Sequence, residues 1–354
     1  MDISKIDKNF KLETNIKRDD IVFYDCQEDI FEIFGVIPPV DSKDVFRRMP
    51  QEIADKTNEG VAGLNTNTAG GRIRLKTDSP YIAINCELYE PARMAHMPFS
   101  GSMSFDMYEK IADKQEYVKT FLNGSDSFES IYDFPNKKMR ELTINMPLYS
   151  GVKNVYIGLS KDAKFEKCED YTYNKPIVYY GSSITQGGCA SRPGNSYQAM
   201  ISRRFDCDYI NLGFSGSARG ETIIAEYIAS LDMGIFVYDY DYNAPTPEHL
   251  ANTHKPMFDI IRKANPLLPI IMVSRPNNHH NAKEDNKKRF EIIKQTYDAA
   301  IAAGDKNVYL INGSKIMDDI AECDGTVDGV HPNDLGFYCM AKRIGDVIGE
   351  ILGK

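Results

Sequence analysis

From Lys175 to the end of the chain, short apolar runs alternate with longer stretches of helical composition, and this alternation limits the possible folds more than any other feature. The runs are Pro176 to Tyr180, Tyr209 to Leu212, Gly234 to Tyr238, Pro269 to Val273 and Asn307 to Ile311. Their length and their β-branched and aromatic content suit strands buried on both faces. Helical stretches follow at Ser196 to Phe205, Thr222 to Ser230, Pro247 to Asn265, Asp285 to Ala303 and Asn333 to Leu352. The last is opened by Pro332-Asn333-Asp334 in the manner of a helix cap. A strand reached only after a helical crossover pairs in parallel with its predecessor. The expectation is a doubly wound parallel sheet with helices on both faces.

Before that point the pattern is β-rich. Arg72 to Lys76, Tyr81 to Asn85, Glu141 to Asn145 and Asn154 to Leu159 read as strands. Turn clusters separate them at Thr77 to Pro80, Asn123 to Asp126 and Pro147 to Gly151. One short helix is expected from Pro50 to Thr57. Many short strands without long helices between them imply an all-β sandwich or jelly roll. The change of pattern predicts two domains, 1–174 and 175–354.

A formal charge of −9 on 354 residues argues against a nucleic-acid surface as the main business. The first twenty residues lack the apolar core of a signal peptide, and no later run approaches the roughly 20 apolar residues of a membrane span. Seven cysteines are scattered without a C-x-x-C pair, so the spacing indicates neither a disulfide framework nor a zinc site. Isolated thiols without a leader predict a cytoplasmic protein.

In a sheet of this kind, the loops leaving the carboxyl ends of the strands meet along one edge. The first such loop carries Ser182 and Ser183, within Tyr179 to Gly188 (YYGSSITQGG). The second is Asn211 to Gly216, a glycine-bearing turn; the third ends at Asn243. The fourth is Ser274 to Asn278, and the fifth leads to Asp328-Gly329-Val330-His331. A hydroxyl, an imidazole, a carboxylate and hydrogen-bond donors thus fall on one edge, which is the equipment of acyl transfer.

Those blocks, in that order, resemble the SGNH (GDSL-like) hydrolase superfamily over Lys175 to Lys354. The resemblance implies a flavodoxin-like sheet, Ser183 as nucleophile, His331 as base with Asp328 as its partner, and an oxyanion hole of Ser183, Gly216 and Asn243. Ser182 stands where the family often has aspartate, and Asp241 and Ala244 stand beside Asn243 where it has glycine and aspartate. Phe46 to Pro50, Thr68 to Arg74 and Gly101 to Tyr108 resemble the β-sandwich domain fused to some of these enzymes, among them carbohydrate acetyl esterases. The resemblance implies a serine esterase acting on a small-molecule or oligosaccharide ester, without metal or organic cofactor and without nucleic-acid or membrane partners. The alternatives are a lipid or thioester hydrolase on the same scaffold, or a carbohydrate-binding protein without catalysis.

Chemistry supplies the roles independently. Serine needs a base to take its proton during attack, and histidine titrates near neutrality. Three residues separate Asp328 from His331, so one helical turn would set the carboxylate on the ring. His96, His249, His254, His279 and His280 have no acid at useful spacing and read as surface or structural residues, with His279-His280 worth watching because the fourth loop lies near the site. Gly213 to Gly220 lacks the spacing and the Lys-Ser/Thr ending of a phosphate loop, and Ser183 is not in G-x-S-x-G. Cys189 reads as incidental. Phe99, Phe105 and Tyr108 either stack on a sugar or fill the sandwich core.

Overall fold

The computed structural model describes residues 14–41, 43–276, 284–317 and 320–354. The β-rich part contains β1 (Ile21–Asp25), β2 (Glu32–Phe34), β3 (Arg72–Thr77), β4 (Tyr81–Tyr89), β5 (Phe105–Ile111), β6 (Lys114–Phe121), β7 (Ser127–Asp133), β8 (Arg140–Asn145), β9 (Gly151–Ser160) and β10 (Phe165–Glu166). They form two antiparallel sheets, β1-β9-β4-β7 and β10-β3-β8-β5-β6, with β2 sharing the outer edge of β3. Ile82, Ile84, Val155 and Ile157 of the first sheet and Ile73, Leu75, Leu142 and Ile144 of the second share one apolar core. That shared core makes the pair a sandwich.

Next come β11 (Tyr173–Gly181), β12 (Cys207–Gly213), β13 (Ile235–Asp239), β14 (Ile270–Val273) and β15 (Val308–Ile311). All pair in parallel, in the order β12-β11-β13-β14-β15. The register aligns Gly181 with both Gly213 and Asp239, so three loops leave the sheet at one level beside its topological switch point. Alternate residues face opposite ways: Ile177 and Tyr179 enter one apolar cluster, Val178 and Tyr180 the other.

The helices are α1 (Gln51–Thr57), α2 (Glu59–Leu64), α3 (Phe99–Ser102), α4 (Ser183–Gln186), α5 (Tyr197–Phe205), α6 (Thr222–Ala229), α7 (Pro247–Ala264), α8 (Glu284–Ala302), α9 (Ile320–Asp324) and α10 (Asp334–Leu352). Residues of α5 and α10 cover one face of the parallel sheet, and those of α6, α7 and α8 the other. Asn333 caps α10 by accepting from Leu335 and Gly336 N–H, as its sequence implies.

Packing does not divide at residue 174 as the sequence pattern does. Met49, Ala54 and Val61, at the start of the α1–α2 pair and within it, lie in the same cluster as Tyr180, Phe214 and Ile224. The buried Arg48 donates to the carbonyls of Asn211, Gly213 and Leu64 and lies over the Phe214 ring, 4.4 Å from its centroid. Asn58 caps α2 and donates to Ser217 O at 3.0 Å and Glu221 Oε1 at 2.6 Å. A segment early in the chain thus holds the loop after β12. Among the described residues, no helix is long and apolar enough to cross a membrane.

Candidate active site

β11 ends at Gly181, and the chain turns into the short helix α4. Ser182 occupies the cap: its buried hydroxyl accepts from Ile184 N–H at 3.2 Å. Ser183 is the first helical residue, and its Oγ lies 3.0 Å from His331 Nε2. His331 Nδ1 in turn lies 2.8 Å from Asp328 Oδ2. Since Asp328 accepts, Nδ1 carries the proton and Nε2 presents its lone pair to the serine.

The loop that carries Asp328 and His331 is not the helical turn expected from their spacing. A bridge between Thr326 and Pro332 closes it, with Val327 N–H donating to His331 O at 2.9 Å. Inside, Asp328 Oδ1 accepts from Val330 N–H at 3.0 Å and His331 N–H at 2.8 Å. Partial burial works to raise the Asp328 carboxyl. The hydrogen bonds from His331 and Val330 and the His331 charge outweigh it and hold the group down at about 2.

Gly216 is exposed with φ +68°, and a Cβ there would meet open space. The left-handed backbone, not crowding, is what favours glycine. Asn243 closes a 3₁₀ turn after β13 and donates from Nδ2 to Phe214 O at 2.9 Å. An amide carries two N–H donors, so one remains for a ligand. Gln186 ties these parts together, accepting from Ser215 N–H at 3.0 Å and donating to Asn67 Oδ1 at 3.0 Å and Leu148 O at 3.2 Å. The β-rich part also reaches the backbone of Ser183, as Tyr149 OH donates to Ser183 O at 3.1 Å.

Behind the site, Thr185 Oγ1 donates to the buried Asp239, and Tyr197 OH lies 3.4 Å from its other oxygen. Burial pushes the Asp239 carboxyl up to about 8, with the Asp241 charge adding and the two hydroxyls opposing. A folded-state value above the unfolded one means that this group's contribution to stability is complete below about pH 3.9 and fades as pH rises to about 8. Asp239→Asn is therefore expected to gain melting temperature relative to the parent as pH rises across that window. A difference in Tm that stays constant across it would count against the assignment.

The other histidines, Cys189 and the three aromatic residues lie in distinct settings. His96 does lie at the surface, but its ring centroid is 5.4 Å from that of His331. Cys189, read as incidental, is buried next to the same ring, with burial and the Asp328 charge pushing its thiol up to about 12. That value leaves it a poor nucleophile. His96, Cys189 and His331 offer ligand atoms within 4.8 Å of one another, a grouping that cysteine spacing could not reveal because the three come from distant segments. His254 is interior, 2.9 Å from Thr296 Oγ1, and burial lowers it to about 3. His249 is exposed and bonds Arg219 O at 2.8 Å; His279 and His280 lie outside the described residues. Phe105 fills the sandwich core, and Tyr108 is buried beside Arg192, so neither can stack on a sugar; Phe99 is 41% exposed.

Residues 174–349 match the family model for GDSL-like lipase/acylhydrolases, and residues 21–165 match that for the N-terminus of SGNH-hydrolase-type esterases. The chain belongs to the GDSL-like lipase/acylhydrolase family. No curated protein sequence matches this family member. Among solved structures it is similar to a protein described as a GDSL-like lipase from Bacteroides ovatus, at 29% identity and TM-score 0.85, over 94% of this chain and 98% of the other. It also shares its fold with the salicylyl-acyltransferase SsfX3 from a tetracycline biosynthetic pathway, at 19% identity and TM-score 0.76, over 94% and 99% of the two chains. A family two carbohydrate esterase from Clostridium thermocellum, solved in complex with cellohexaose, matches at 13% identity and TM-score 0.60 over 81% and 94%.

Proposed function

We propose that this GDSL-like hydrolase is a serine esterase that removes small acyl groups, acetyl above all, from carbohydrate. The observation that carries the reading is the line Ser183 Oγ to His331 Nε2 at 3.0 Å and His331 Nδ1 to Asp328 Oδ2 at 2.8 Å. Ser183 attacks the ester carbonyl while His331 takes its proton, and Asp328 holds the ring and offsets the imidazolium charge. The oxyanion receives N–H groups from Ser183 and Gly216 and the free amide hydrogen of Asn243. His331 returns its proton to the departing sugar oxygen, leaving an acyl-enzyme. Water, with His331 again as base, releases the carboxylic acid and restores the serine.

The catalytic part in this reading is 175–354, with 1–174 as the β partner that supports Ser183 through Tyr149 and leaves Phe99 exposed for a sugar face. Structural likeness to carbohydrate esterases supports the sugar as substrate, at the level of fold. A panel of acetylated mono- and oligosaccharides followed by mass loss, run beside 4-nitrophenyl acetate and octanoate, tests it. Acetyl esters are expected to exceed octanoyl esters by about tenfold or more in kcat/KM. A reversed order favours the lipid or thioester reading, and glycan binding without turnover the non-catalytic one.

A further inference from the structure

We propose that His96, Cys189 and His331 bind a divalent cation of borderline softness, zinc above all, and that the bound ion silences the esterase by occupying the imidazole nitrogen that Ser183 uses. The silencing rests on the reading of His331 as the base; the metal site rests on the cluster itself. Two imidazoles and a thiol favour zinc over hard cations such as magnesium or calcium. The His331 ring is already posed as a metal ligand. Asp328 accepts its Nδ1 proton at 2.8 Å, the carboxylate–histidine arrangement found behind zinc-binding imidazoles, which leaves Nε2 as the donor atom. The same lone pair meets Ser183 Oγ at 3.0 Å, so ion and nucleophile compete for one atom.

The other two ligands arrive from opposite parts of the chain and are held together there. Cys189 is 3% exposed and has φ +76°, a left-handed backbone that a residue with a side chain adopts only where its surroundings impose it. Its segment is fixed on both sides. Ala190 N–H bonds Gly187 O at 3.1 Å, and Ser191 N–H bonds Asp334 Oδ1 at 2.9 Å. The loop bearing His96 runs into α3, which packs on this segment. Ser100 donates to Ser191 O at 2.6 Å, and Gly101 approaches so closely that a Cβ there would stand 2.1 Å from Ala190 O. In a tetrahedral zinc site, Zn–N and Zn–S bonds of about 2.0–2.3 Å set neighbouring ligand atoms about 3.3–3.8 Å apart. The present spacing, within 4.8 Å, closes to that with a movement of about 1 Å, which the exposed His96 side chain can supply. On binding, the Cys189 thiol releases its proton to solvent, and a water or Ser183 Oγ completes the four ligands. No electron transfer is involved.

The test uses the full chain, stripped with chelator and titrated with zinc chloride or cobalt chloride alone. One zinc is expected per chain by calorimetry, and the cobalt form should show a thiolate-to-metal charge-transfer band that Cys189→Ser removes. Zinc should suppress 4-nitrophenyl acetate hydrolysis, and chelator should restore it. Cys189→Ser and His96→Ala should each raise the zinc needed for half-suppression by about tenfold or more, against each variant's own metal-free rate. His96 is exposed, so that variant keeps the test valid should Cys189→Ser disturb folding. Ser183→Ala should keep both zinc binding and the cobalt band, which reads the site without turnover. A parent protein that binds zinc with that band yet hydrolyses no ester would sustain the site and remove the esterase reading. Zinc binding only at millimolar levels would overturn the site, as would binding that survives both variants and disappears when His279 and His280 are replaced.

Discussion

Ser183→Ala is expected to lower ester turnover by roughly 10⁴- to 10⁶-fold, whereas Ser182→Ala leaves it within about tenfold. Adjacent serines of the same chemistry separate so widely because the backbone gives them different work. Ser183 Oγ faces His331 Nε2 at 3.0 Å, whereas the Ser182 hydroxyl is turned inward onto Ile184 N–H at 3.2 Å. On the proposed mechanism, Ser183→Ala removes the atom that bonds to the acyl carbon, and neither nearby candidate is fit to replace it. The Cys189 thiol is held protonated by burial, and Ser182 is 1% exposed. Removing Ser182 costs a helix cap, typically about 0.5–2 kcal/mol, and that loss should appear as a lower Tm with kcat little changed. Steady-state kinetics and thermal denaturation on both variants decide it. The reverse ranking would move the nucleophile one residue earlier.

Much of this arrangement is legible in the sequence, for definite reasons. The parallel strands fall within a few residues of the apolar runs because each is buried on both faces, which leaves an unbroken apolar signature. Ser183, Asn243 and His331 could be placed on one edge because parallel strands set all their carboxyl ends on the same side of the sheet. Less legible were the strands from Lys114 to Phe121 and Ser127 to Asp133, whose residues are largely half-exposed and polar. The packing of α1 and α2 against the cluster of Tyr180 and Phe214 was also hidden. Nothing in Gln51 to Leu64 says which sheet its apolar face will cover, since that depends on the chain doubling back from Arg48 to the loop after β12. His96 and Cys189 were missed for a similar reason. Each is unremarkable among its own neighbours: Cys189 reaches the His331 ring through the turn after α4, and His96 where α3 docks on Ala190.

Asp328→Asn is expected to lower kcat by about 10⁴-fold with KM little changed, although asparagine has almost the same shape. Asp328 Oδ1 accepts from the Val330 and His331 backbone N–H groups, and Oδ2 accepts from His331 Nδ1. Asparagine keeps one acceptor oxygen. Two backbone donors claim it, which turns the amide NH₂ toward Nδ1. A donor there forces the ring proton onto Nε2, and Nε2 then has no lone pair for the Ser183 proton. The variant should keep the loop and lose the base, and ¹⁵N spectra of the His331 ring should report the exchanged tautomer. The parent's pH behaviour supplies a second readout. With the folded carboxyl held at about 2, below its ordinary value, the support that Asp328 gives the loop is complete above about pH 4 and is lost as pH falls toward 2. Loop opening in the parent, followed through the His331 amide by hydrogen exchange, should rise in that window and not above it, and asparagine should abolish the step. Turnover by Asp328→Asn within about tenfold of the parent, with the ring proton still on Nδ1, would remove Asp328 from the mechanism.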